Sequence, residues 1–240
     1  MGKEKVDIIL PESAIEFLNY CKINKGLSID TVNAYERDLR IFTQYIKIHK
    51  KQKNRNVKDV DIKKIQLKDL SNFVVYLIDD LANTERTIKR KVATLKSYFS
   101  YLQNFARLII INPTYGLATP KIPKRQPIYL TLEESKSLLL SLNKNNRNYE
   151  RDYCILTLFL NCGMRLSELT NITVSDIKGD ILTIIGKGNK ERTIYLNDAC
   201  LKSLNQYLEV REIYSIKDDS LFNITSNRIE CLTKEHIIKS

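Results

Sequence analysis

The residues from Asn112 to Ile128 constrain this chain more than any other stretch. Pro113, Pro120, Pro123 and Pro127 punctuate it, with Gly116 among them and Lys121, Lys124 and Arg125 interspersed. Each proline removes a backbone donor and holds the residue before it extended, so neither a helix nor a central strand runs through. The stretch reads as a semi-rigid basic linker. It divides the 240 residues into an N-terminal domain over 1–112, a linker over 113–128 and a C-terminal domain over 129–240. Each half is long enough to bury a core of its own.

Upstream of the linker the apolar periodicity is helical. Ser13 to Lys25 reads as a first helix ended by Gly26, with Ile15, Leu18 and Cys21 or Lys22 marking a face. Ser28 caps a second helix, favoured by Asp30 in its first turn. Val32, Tyr35, Leu39, Phe42 and Ile46 form its buried stripe, and Arg37, Arg40 and Lys47 its other face. Residues 50–59 are polar and basic without periodicity, hence a loop. A third helix, Leu67 to Leu81, turns Leu70, Phe73, Val74, Leu77 and Ile78 inward. A fourth, Thr84 to Phe105, buries Ile88, Val92, Leu95, Phe99 and Leu102. That helix sets Arg86, Lys89, Arg90, Lys91 and Lys96 against a single acid, Glu85. A basic face can simply be solvated, but one so one-sided, beside other basic helices, predicts contact with phosphates.

Downstream, helices mix with strands. Thr131-Leu132-Glu133-Glu134 is a capping box that opens a helix to about Leu142, and a second helix spans about Tyr149 to Asn161. Gly163 interrupts it, and Arg165 to Leu169 forms a short helical turn. Ile181 to Gly186 and Glu191 to Leu196 bracket Lys187-Gly188-Asn189-Lys190, the pattern of a β-hairpin. Asp198 to about Val210 returns to helix.

Composition narrows the partners. A net charge of +11 and a pI near 9.3 favour a polyanion, with AT-rich codon usage as the plainer source of so much lysine. No apolar run reaches the roughly 18–20 residues that a membrane span needs, and residues 1–10 show no secretory pattern. A cytoplasmic protein is expected. The five cysteines (21, 154, 162, 200 and 231) are never spaced as a CxxC pair and have only two histidines for company. No metal site and no cofactor are expected, and the thiols read as core residues in a reducing compartment.

Two strings can carry chemistry. In Cys162-Gly163-Met164-Arg165-Leu166-Ser167-Glu168-Leu169, a glycine break precedes an arginine with a glutamate three residues on, both on one face of a short helix. A guanidinium so placed can grip two phosphate oxygens at once, held by Glu168; a helix-end salt bridge is the plainer reading. In Gly186-Lys187-Gly188-Asn189-Lys190-Glu191-Arg192, glycines let a hairpin tip approach DNA while Lys187 projects from the turn. Its ammonium could protonate a departing oxygen; an exposed surface hairpin is the alternative.

Taken together, the Gly-Met-Arg-Leu-Ser-Glu-Leu string and the hairpin some twenty residues later resemble the catalytic domain of tyrosine recombinases, the phage integrase family, especially its Xer-like branch. Lys25-Gly26-Leu27-Ser28, Ala34 to Leu39 and Arg90 to Phe99 are similar to the family's SAM-like core-binding domain. The resemblance implies a mainly α protein: a SAM-like four-helix core-binding domain, then an α+β catalytic domain with a small antiparallel hairpin or sheet, incomplete at its C-terminus. It implies a clamp on duplex DNA, a 3′-phosphotyrosine intermediate, strand exchange without ATP, and other protomers in a synaptic tetramer. Arg165 matches the first catalytic arginine, Glu168 its neighbouring acid and Lys187 the hairpin lysine. Arg37, Arg40, Lys89, Arg90, Lys91, Lys96, Lys121, Lys124, Arg125, Lys190 and Arg192 are the expected DNA-contacting cations.

The departures concern the rest of the catalytic set. After Arg192 there is no His-x-x-Arg series, and none of the thirteen tyrosines lies in a context resembling the nucleophile's. His236-Ile237-Ile238-Lys239 has the spacing with lysine in place of arginine, and is read as the helix preceding that cluster. The expectation is therefore a truncated recombinase, silent by itself. A DNA-binding module that competes with active enzyme and a helical adaptor with incidental charge are the rival readings.

Overall fold

The computed structural model describes residues 10–49, 60–121, 126, 129–186, 188, 190–211 and 219–237. The loop expected over 50–59 and most of the linker, with Lys124 and Arg125, lie outside the described residues. The chain forms two compact units, Met1–Arg125 and Gln126–Ser240.

The first unit packs four helices, α1 (Glu12–Ile23), α2 (Ile29–His49), α3 (Leu67–Asp79) and α4 (Glu85–Asn104). The stripe of α2 is buried as its periodicity requires, with Tyr35 only partly so, and so is that of α4. Two faces differ from expectation. The buried side of α1 is Ala14, Phe17 and Cys21, while Ile15 stays nearly half exposed. Phe17 fixes that rotation, because its ring packs against Tyr35, Tyr98 and Tyr101. Ile78 of α3 is also exposed, whereas Leu70, Phe73 and Leu77 are buried and Val74 packs partly buried against the core.

One polar node sits inside this apolar bundle. Asp38 of α2 is buried and faces α4, where the Arg90 guanidinium donates to it, Thr94 Oγ1 donates at 2.8 Å and Lys91 Nζ lies 3.4 Å away. Lys91 is therefore not part of the outward basic face. Its residue is 5% exposed, and a buried ammonium persists only beside a counter-charge.

The second unit is α+β. The Thr131 amide donates to Glu134 Oε2 at 2.7 Å and the Glu134 amide to Thr131 Oγ1 at 3.2 Å, so the capping box opens α5 (Leu132–Leu140). Then follow α6 (Tyr149–Cys162), α7 (Leu166–Thr170), β1 (Ile177–Lys178), β2 (Ile181–Ile185), β3 (Glu191–Tyr195), α8 (Asp198–Val210) and α9 (Ser226–Ile237). The sheet is antiparallel in the order β1-β2-β3, with Leu182 opposite Ile194 and Ile184 opposite Arg192. Strand β1 is two residues long, too short to leave a periodic trace in the sequence. His236 falls in α9, as the reading of that segment as a helix requires. Among the described residues, no helix is long and apolar enough to cross a membrane.

Candidate phosphate-binding site

The site begins where α6 stops. Gly163 takes a left-handed conformation (φ +56°), which a side chain disfavours, and its amide still donates to Phe159 O at 3.3 Å. The chain reverses, Met164 plugs into the core, and Arg165 stands in extended conformation as the N-cap of α7. Glu168, the third residue of α7, reaches back to accept the Arg165 amide on Oε2 at 2.7 Å. Its Oε1 accepts Arg165 Nη1 at 2.6 Å.

A third group arrives from the sheet. Cross-strand partners share a face, so Arg192, opposite the buried Ile184, lies on the inward side of β3. Its Nη1 and Nη2 donate to Glu168 Oε1 and Oε2 at 3.2 and 3.0 Å. One carboxylate thus carries two guanidiniums and a backbone amide. The Glu168 side chain is 3% exposed, whereas those of Arg165 and Arg192 are 61% and 40% exposed. The Arg165 amide first, then the two guanidiniums, hold the Glu168 carboxyl below the usual carboxylate range against the opposing cost of burial.

Gly186 closes the site. A Cβ built on it would lie 3.1 Å from Glu168 Oε1 and 3.7 Å from Arg165 Nη1. The base of the hairpin therefore presses its backbone against the Arg165–Glu168 pair, a contact only glycine permits without displacement. Lys187, the next residue, lies outside the described residues, as does Asn189.

The balance of the site is one negative charge against two positive, with the Nε and Nη2 edge of Arg165 carrying no hydrogen bond among the described residues. That edge is a planar pair of donors in a net-positive setting, the geometry that suits two oxygens of a phosphodiester. The tie between Arg192 and Glu168 escaped the sequence reading, which placed Arg192 among general DNA contacts. The alternation in Glu191 to Leu196 held the signal, because Arg192 shares its strand face with Ile194.

The other expected contacts divide by environment. Arg37, Lys89 and Lys96 are exposed on the first unit, and so are Lys121 and, on the second, Lys190. Arg90 is half exposed but anchored on Asp38, and Arg40 is engaged by Glu36 through Nε at 3.0 Å and Nη2 at 2.6 Å. Lys91 is buried.

A helical bundle followed by an α+β unit is an architecture with known relatives. Residues 129–239 match the phage integrase family, and residues 14–104 match the phage integrase N-terminal SAM-like domain. The tyrosine recombinase XerC of Caldanaerobacter subterraneus subsp. tengcongensis is 44% identical over 236 residues, covering 93% of this chain and 66% of that protein. XerC of Staphylococcus aureus is 31% identical over 225 residues, covering 92% of this chain and 71% of that protein. Among solved structures, a lambda integrase dimer bound to a COC′ core site shares the fold with TM-score 0.69 and 15% identity, over 93% of this chain and 80% of that one. The XerH site-specific recombinase bound to difH substrate does so with TM-score 0.65 and 22% identity, over 94% and 68%. The chain belongs to the phage integrase family of tyrosine recombinases. It spans just under two thirds of the length of the first curated relatives it matches.

Proposed function

We propose that this chain is the DNA-clamping and phosphate-binding part of a cytoplasmic site-specific tyrosine recombinase, acting on duplex DNA with other recombinase protomers. The observation that carries the reading is the pair of guanidiniums gathered on one enclosed carboxylate, with the base of the glycine hairpin against them. Arg165 presents its outward edge to the two non-bridging oxygens of the scissile phosphate. Glu168 fixes the plane of that guanidinium and Arg192 adds charge from the strand. As a tyrosine oxygen attacks phosphorus, the bond to the 5′-oxygen breaks, and the Lys187 ammonium supplies the proton that the leaving oxygen takes up. Donors already oriented toward the charge that develops on phosphorus typically contribute about 2.7–4 kcal/mol each.

The residues of this chain supply phosphate ligands, and we assign none of its tyrosines as nucleophile. Tyr207 is fully buried, its hydroxyl donating to Leu221 O at 2.9 Å. Tyr195 alternates with Arg192 and Ile194 and so occupies the outward face of β3. The 240-residue chain alone is accordingly expected to bind DNA without forming a covalent adduct.

The test is fluorescence anisotropy with duplex DNA across a salt series, beside a nicked suicide substrate on denaturing gels. Wild-type affinity should fall steeply with salt, and Arg165→Ala should flatten the slope by about one phosphate contact. Salt-independent binding would remove the phosphate reading, and a DNA-linked band from this chain would overturn its assignment as adduct-free.

A further inference from the structure

The end of α6 and the start of α8 bring two thiols together beside the phosphate site. Cys162 closes α6, directly before Gly163, and Cys200 lies in the first turn of α8, with their Sγ atoms 3.9 Å apart. The approach is held by more than the sulfurs. Asn197, the N-cap of α8, donates through Nδ2 to Asn161 Oδ1 at 2.8 Å and accepts the Cys200 amide on Oδ1 at 3.0 Å. Neither thiol is needed by the chemistry described above.

We propose that Cys162 and Cys200 are a redox-modification site, joined as a disulfide by a peroxide, and that the bond draws the turn carrying Arg165 toward α8 and weakens its grip on phosphate. The effect on phosphate rests on the reading of Arg165 given above; the disulfide itself does not.

The geometry asks for little movement. A disulfide needs about 2.05 Å between sulfurs, so the pair must close by about 1.9 Å. Cys162 is half-buried and Cys200 fully buried, so peroxide meets Cys162 first. Its sulfur takes one oxygen, giving a sulfenic acid and one water. The Cys200 sulfur then attacks that sulfur as a thiolate. The S–O bond breaks, and the hydroxide leaves with the Cys200 proton as a second water. While both thiols are intact, their S–H···S contact raises the Cys162 thiol and lowers that of Cys200, so the order of reaction is set by exposure and not by acidity. Cys154 is a bystander, pushed up to about 12 by burial.

The consequence follows from chain order. The bond closes a covalent loop over residues 163–199, which contains Arg165, Glu168, Gly186 and Arg192. Gly163 and Met164 alone separate Cys162 from Arg165, so displacement of the sulfur is transmitted to the guanidinium through two residues.

The experiment treats the chain in a Cys231→Ser background, which removes the exposed thiol, with hydrogen peroxide. Intact mass and non-reducing peptide maps then report the product. We expect loss of two hydrogens, a peptide linking Cys162 to Cys200, altered amide exchange confined to residues 163–169, and a severalfold fall in duplex affinity that dithiothreitol reverses. Cys200→Ser should show none of these. Absence of the linked peptide, under conditions that fully oxidise Cys231 in the parent chain, overturns the site. A linked peptide with unchanged exchange over 163–169 overturns its control of the turn. If exchange changes and affinity does not, the influence on phosphate falls. Failure of Arg165→Ala to affect binding would instead fault the phosphate reading and leave the disulfide standing.

Discussion

Replacing Glu168 with glutamine tests the arrangement most directly, because it keeps shape and removes charge. The carboxylate accepts four hydrogen bonds, at 2.7 and 2.6 Å from Arg165 and at 3.2 and 3.0 Å from Arg192. A carboxamide presents one acceptor oxygen, so the donors on the other side face an NH2 group. Two charge-assisted bonds lost at about 1.5–3 kcal/mol each give a gross cost of about 3–6 kcal/mol. Both guanidiniums are more than a third exposed and recover part of this from water, as solvent-facing ion pairs do. The net expectation is about 2 kcal/mol.

Urea unfolding at pH 7 measures it, with the transition of the second unit identified by amide exchange in β2 and β3. At an m-value of about 2 kcal/mol/M the midpoint should drop by about 1 M. The pH dependence is the sharper half. The folded-state pKa of Glu168 is lowered, so its contribution is fully present above the unfolded value of about 4.3 and disappears as pH falls through the lower folded value. The gap between wild type and Glu168→Gln should therefore narrow steadily below about pH 4. A gap that is equal at pH 3 and pH 7 would show that the carboxylate charge does not hold the knot.

Three further perturbations separate cations held by buried acids from those proposed to meet DNA. Asp38→Ala strands the buried Lys91 ammonium and should cost about 3–5 kcal/mol in urea unfolding of the first unit; a loss under about 1 kcal/mol would mean the node carries no stability. Lys89→Ala should leave stability unchanged and reduce the slope of log affinity against log salt by about 0.9, and an unaltered slope would take Lys89 off the DNA face. Gly186→Ala places a methyl 3.1 Å from Glu168 Oε1, where the carboxylate is pinned on both sides. It should cost about 1–3 kcal/mol by thermal melting and weaken duplex binding, and a neutral effect would show that the hairpin base yields freely.

The helices were legible because burial repeats: the stripes of α2 and α4 and the capping box at Thr131 each impose a local pattern that tertiary packing does not reverse. The rotation of α1 was not legible, since Ile15–Leu18 and Ala14–Phe17–Cys21 are both acceptable apolar lines. The choice between them lies in Phe17 finding three rings on α2 and α4. The Arg165–Glu168 contact was readable from its spacing of three residues. The arrival of Arg192, 24 residues after Glu168, and the meeting of Cys162 with Cys200 depend on strand register and helix packing, which no local spacing encodes.

The same physical device appears in both units and decides which cations stand oriented at the surface. In each, a nearly buried acid is the fixed point: Asp38 among Arg90, Lys91 and Thr94, and Glu168 among Arg165, Arg192 and a backbone amide. A buried carboxylate must have partners, and the chain supplies more positive charge than it needs, so the surplus stays at the surface with its orientation set from below. Arg90 and Arg165 are the groups so placed, both anchored at one end and about half or more exposed at the other. Freely solvated lysines such as Lys89 must lose rotamer freedom when they meet a phosphate; these arginines have already lost part of it on folding. A basic helix in the sequence announces charge. Which of its cations are preorganised is decided by an acid elsewhere in the chain.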